Sequence, residues 1–97
     1  MIMSLDPSAR RARHAWDALL LARYAKKRRA ELGLTIDEAA ELSGMEPSQW
    51  AAIEAGWLPS EREDVRTIAA TLEVRVPDLR MLIFYACCAQ EGLQAAC

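Results

Sequence analysis

The sequence predicts an all-α domain of five helices. Of 97 residues, 53% are apolar, and Ala and Leu outweigh the β-branched types, a balance that favours helix over strand. The apolar residues recur three and four apart, the spacing of one helix face. Capping pairs, Pro and Gly fall between these runs, where helices start and stop. The length fits a single domain, 1–97, large enough to bury a core without metal or disulfide staples.

The first helix is expected to be long and basic. Met1 to Leu5 reads as loose chain, and residues 1–9 as an N-terminal tail or arm. Asp6-Pro7 supplies an N-cap and a first helical residue, and nothing from there to Leu32 breaks a helix. Trp16, Leu20, Leu21, Tyr24, Ala25 and Leu32 mark its apolar face. Arg10, Arg11 and Arg13 sit in its first turns, where the helix dipole disfavours cations; that placement points to an anionic partner or to fraying into an arm.

Residues 34–56 read as two short helices around a tight turn. Thr35 and Glu38 form a T-x-x-E capping box. It starts a helix whose inward face is read as Ala39 and Leu42, with Ala40 small enough for another helix to lie close. Gly44 supplies a left-handed residue at its end. Glu46-Pro47 opens the next helix, Trp50 and Ile53 face its core, and Gly56 ends it.

Trp57 to Ser60 makes a loop, with Trp57 read as a lid on the core. Ser60 and Glu63 form a second capping box, starting a helix through Val65, Ile68, Ala69 and Leu72. The last helix begins at Pro77 and carries an apolar stripe of Leu79, Leu82, Ile83, Ala86 and Cys87. Met81, Phe84, Tyr85 and Cys88 lie on its other faces, and Gly92 interrupts or ends it. A helix apolar nearly all round exceeds what one small core can cover, so residues 77–91 are expected to meet a second copy.

Short helix, small turn residue, second short helix with an apolar pair three apart is a helix-turn-helix pattern. Leu34-Thr35, Ala40, Gly44 and Ile53-Glu54-Ala55-Gly56 resemble the lambda-repressor-like helix-turn-helix family, also called the Cro/repressor or XRE type. Tyr24 to Gly33 is similar to the end of that family's first helix. Ile68 to Val74 and Val76 to Leu79 are similar to its fourth helix and the start of its fifth.

The resemblance implies a transcriptional regulator whose second short helix enters the major groove of double-stranded DNA. Carried over by position, Pro47, Ser48, Gln49, Ala51, Ala52 and Ala55 would face the bases. Of these, Gln49 is the one forked amide able to pair bidentately with adenine. Ile36 stands where many relatives carry a phosphate-binding Gln. Arg10, Arg11, Arg13, Lys26, Lys27, Arg29 and Thr35 are the implied phosphate contacts, the first three on an arm like that of phage repressors. Arg29 and Glu54 match a structural ion pair. Relatives also hold a phosphate on backbone N–H groups of the loop after the groove helix; here Glu61, Glu63 and Asp64 oppose that, and Arg62 and Arg66 partly offset them. The last helix would form a homodimer through Leu79, Leu82, Ile83, Tyr85 and Ala86.

Charge is segregated along the chain. The net charge is −2, yet residues 1–30 hold eight basic and two acidic groups while residues 31–97 hold four basic and twelve acidic. One end therefore attracts phosphate and the other repels it. With the alanine-rich groove helix and Glu46 at its start, a second reading stays open: a protein-interaction module, antitoxin-like or an anti-regulator.

Other classes are disfavoured. There is no phosphate-cradling Gly-rich loop, no nucleophile–His–carboxylate set, and no H-E-x-x-H or C-x-x-C, so no catalytic residue, metal or cofactor is assigned. His14, the single His, reads as a phosphate or solvent contact. Cys87, Cys88 and Cys97 cluster at the end in an odd number, which fits a reducing cytoplasm better than a disulfide framework. No apolar run is long enough for a membrane span, and MIMSLDPSARR lacks the apolar core of a secretion signal.

Overall fold

The structure, a computed structural model, describes residues 18–91. The described residues form five helices: α1 Leu20–Glu31, α2 Ile36–Ser43, α3 Pro47–Glu54, α4 Arg62–Leu72 and α5 Val76–Glu91. The described residues contain no strand. The 1–9 arm, the Asp6-Pro7 start, Arg10, Arg11, Arg13, His14, Trp16, Gly92 and Cys97 lie outside the described residues.

The local signals explain most boundaries. The Thr35 hydroxyl accepts from the Glu38 N–H at 3.0 Å, and the Glu38 carboxylate accepts from the Thr35 N–H at 2.8 Å, so the capping box forms. Gly44 ends α2 at φ 73°, a conformation that costs glycine little. Glu73 ends α4 in the same left-handed region at φ 55°, where a side chain is unfavourable. Arg28 Nε donates to the Leu72 carbonyl at 2.9 Å, satisfying one of the orphan acceptors at that end.

The helices close around one core. α1 packs on α3 and α5, α2 on α3 and α4, and α4 on α5. Leu21, Trp50, Ile53, Ile68, Leu72 and Leu79 are fully buried there, the Leu and Ile side chains contributing about 1.5–3 kcal/mol each. Ala25, Ala39, Ala40 and Ala69 are buried between helices and let the backbones approach closely.

Five sequence expectations need correction. Ala18 and Leu19 form a turn and α1 starts at Leu20, so the helix does not run unbroken from Pro7. Ser60 does not cap α4: it is exposed, the neighbouring Pro59 is buried, and Glu61 occupies the N-cap without a side-chain cap bond. Leu42 is 63% exposed, and Ser43 takes the inward place because its hydroxyl is satisfied by the Ala39 and Ala40 carbonyls at 2.8 and 3.1 Å. Trp57 is half exposed and so is no lid; Pro59 turns inward in its stead. Leu79 and Ala86 have no exposed surface, which removes them from any contact with a second copy.

Candidate nucleic-acid interface

α3 shows two faces. Trp50 and Ile53 are fully buried, while Pro47, Ser48, Gln49 and Ala51 are exposed and Ala52 is half-buried. Ala55, just past the helix end, is exposed as well. Pro47 at the first helical position and Glu46 at the N-cap set where the outward face begins.

Gln49 has a structural duty that its residue type did not announce. Its Oε1 accepts from the Glu46 backbone N–H at 2.8 Å, closing the N-terminal turn. The Gln49 amide N–H₂ remains able to donate, while its carbonyl is shared with the cap. The S/T/D/N rule misses this box because Glu46 stands at the cap; its signal is a Gln three residues on.

The opposite end of α3 is tied to α1. Arg29 Nε meets Glu54 Oε2 at 2.6 Å and Nη2 meets Oε1 at 3.0 Å, a bidentate pair. Trp50 Nε1 also donates to Glu54 Oε2 at 2.7 Å, and Arg29 Nη1 donates to the Leu34 carbonyl at 2.9 Å. The Trp50 partner was legible as an i, i+4 spacing along α3. The side chains of Arg29 and Glu54 are 14% and 7% exposed. Burial alone would push the Glu54 carboxyl up. The hydrogen bonds from Arg29 and Trp50, with the charges of Arg29 and Lys26, outweigh it and hold the carboxyl below its ordinary value. Arg29 is raised, chiefly by its bond to Glu54. Three of its five N–H donors are thus held inside the fold, where Arg29 braces α3 against α1.

The remaining implied phosphate contacts divide. Lys26 and Lys27 are exposed on α1, and the charge of Lys26 helps to lower Glu54. Thr35 is exposed at the start of α2 with its hydroxyl engaged by Glu38. Residues 36–54 contain Asp37, Glu38, Glu41, Glu46 and Glu54 but no Lys or Arg, so attraction to phosphate must come from other elements. On α4, Arg62 and Arg66 are exposed, as are Glu61 beside it and Glu63.

Among the described residues no group of His, Cys, Asp and Glu could hold a metal ion, and no helix is long and apolar enough to cross a membrane. Neither the curated proteins nor the solved structures give a match to the chain. A family model does: residues 20–82, well over half the chain, match the helix-turn-helix domain, which stands in the lambda-repressor-like group. On the strength of that match, the chain belongs to the helix-turn-helix domain family.

Proposed function

We propose that the chain is a small transcriptional regulator of the Cro/repressor, XRE type that binds double-stranded DNA as a homodimer. One observation carries the reading: the outer face of α3 is uncovered while both its ends are fixed, by the Glu46–Gln49 cap and by the Arg29–Glu54–Trp50 anchor. A rigid helix with one free face can be laid in a major groove. Ser48 and the Gln49 amide supply donors to base edges, and the exposed Ala51 methyl suits thymine methyls. Lys26 and Lys27, with Arg10, Arg11 and Arg13, supply phosphate attraction.

For the dimer, α5 exposes Met81 and Tyr85 beside an apolar groove of about 350 Å³ that also touches Tyr24, Val74 and Leu82. Exposed apolar surface on one helix can meet the same surface of a second copy about a two-fold axis. Pairing would add the contacts of two half-sites through effective concentration.

A second reading, protein interaction through α3, is favoured by the carboxylate-only 36–54 segment and by the partly committed Gln49. Binding of a fluorescent random-sequence duplex, followed by anisotropy as salt rises, separates the two. The DNA reading expects log affinity to fall steeply and linearly with log salt. No binding at low salt would overturn it.

A further inference from the structure

The cap at the start of α3 fixes which end of the Gln49 amide is engaged. The Glu46 backbone N–H can only donate, so the atom 2.8 Å from it is the acceptor, Oε1. That bond satisfies a donor which the start of a helix otherwise leaves without a partner. The exposed face around it holds little else that hydrogen-bonds. Pro47 and Ala51 carry no polar side-chain atom, and Ser48 adds one hydroxyl. The Gln49 amide nitrogen, with two hydrogens, is the main polar group on the outer face of α3.

We infer that Gln49 reads guanine rather than adenine. The inference rests on the proposed reading, with α3 in the major groove, and names the base that the site selects. In that groove adenine sets an acceptor, N7, beside a donor, N6–H₂. A glutamine matches this edge by laying its oxygen and nitrogen side by side against it. Here the oxygen is held by the Glu46 N–H. Turning it to adenine breaks the cap and strands a helix-start donor. Offering the nitrogen alone sets donor against donor at N6. Guanine asks only for donors: N7 and O6 both accept, and the two hydrogens of one amide nitrogen can serve them with the cap intact. Thymine presents one acceptor and cytosine a donor, so guanine gains most from a donor-only group. The cap bond therefore sets specificity as well as closing the turn.

The test starts with duplexes selected from a randomised pool by the full chain and by Gln49→Ala. A position whose base preference vanishes in Gln49→Ala is the one Gln49 reads. Guanine is expected there in wild type, favoured over adenine by roughly tenfold, the scale of one base pairing. Replacing that guanine with 7-deazaguanine, which lacks the N7 acceptor, should weaken binding. Hypoxanthine, which keeps O6 and N7, should not.

Glu46→Pro separates the cap from the face. Glu46 lies at φ −74°, within the range proline adopts, and proline has no N–H. With its oxygen released, Gln49 should take adenine at least as well as guanine. Glu46→Ser removes the same carboxylate but keeps the N–H, so guanine should still be preferred. Circular dichroism establishes that each variant is folded, and the base-analogue result in wild type stands without them. Adenine at the Gln49-dependent position, or an unchanged guanine preference in folded Glu46→Pro, would overturn the inference while DNA binding stands. No preference lost in Gln49→Ala would overturn it too. A pool that yields no bound duplex would instead remove the reading beneath it, and the inference with it.

Discussion

Arg29 and Glu54 join α1 to α3 through two part-buried bonds of 2.6 and 3.0 Å, with Trp50 as a third donor to the same carboxylate. Removing one partner strands the other. Arg29→Ala is expected to lower stability by roughly 3 kcal/mol, the lower end of the range for broken buried pairs because the site is not fully enclosed. Replacing both, Arg29→Met with Glu54→Gln, which removes both charges and keeps an acceptor for Trp50 Nε1, should recover most of that loss. Urea denaturation of the three proteins checks it; a double variant no better than Arg29→Ala would show that the pair matters for something other than charge balance.

The same pair predicts a pH dependence. Glu54 is held below its ordinary value in the folded state, so the folded protein takes up that proton less readily than the unfolded chain. Its stabilisation is complete above the unfolded carboxylate range, about pH 4.3, and is lost as pH falls through the lower folded value. The urea midpoints of wild type and the Met–Gln double variant should therefore hold a steady difference from pH 7 to 5. That difference should change only in more acidic solution. Parallel curves down to pH 3 would contradict the assignment.

Glu73 ends α4 at φ 55° with its N–H on the Ala70 carbonyl at 3.2 Å and the Val74 N–H on the Ala69 carbonyl at 3.0 Å. Glycine fits this geometry without the Cβ clash. Glu73→Gly should stabilise the fold by about 0.5–1 kcal/mol, net of the added freedom of the unfolded chain. Thermal unfolding measures it, and a lowered midpoint would mean that the Glu73 side chain contributes more than its strain costs.

Gln49 allows cap and readout to be separated. Gln49→Glu keeps an acceptor for the Glu46 N–H but loses the amide donor. Stability should change by less than about 0.5 kcal/mol, the scale of surface substitutions. Affinity for the best duplex should fall by at least about tenfold, the value of one base pairing lost. Equal affinity would move base reading away from Gln49.

Tyr85 tests the two-fold contact. Wild-type protein is expected to sediment as a dimer, and Tyr85→Glu, which places a charge on the exposed α5 surface, as a monomer with unchanged helix content. A wild-type monomer at tens of micromolar would end the dimer reading.

Signals decided within a few residues were legible before any coordinates. Thr35 and Glu38 cap each other, Gly44 turns left-handed, and Pro47 starts α3, because each needs only its near neighbours. The Arg29–Glu54 contact was legible too, through the family resemblance carried by residues far apart in sequence. What escaped depends on where a distant helix lies. Leu42 and Ser43 are adjacent, and only the position of α4 against α2 decides which of them turns inward. Trp57 and Pro59 pose the same choice within one loop. On α5, Leu79 and Tyr85 are both apolar helix residues, yet one is in the core and the other at the surface.

The outward side of α3 from Pro47 to Ala51 carries no cation, while Lys26 and Lys27 stand exposed on α1. If α3 engages a duplex, arrival and residence are governed by different helices. Ionic strength and changes at the lysines would alter how fast the protein finds the duplex. A methyl or an amide altered on α3 would change how long it stays. Kinetics could thus be retuned along two independent axes without touching the core that joins them.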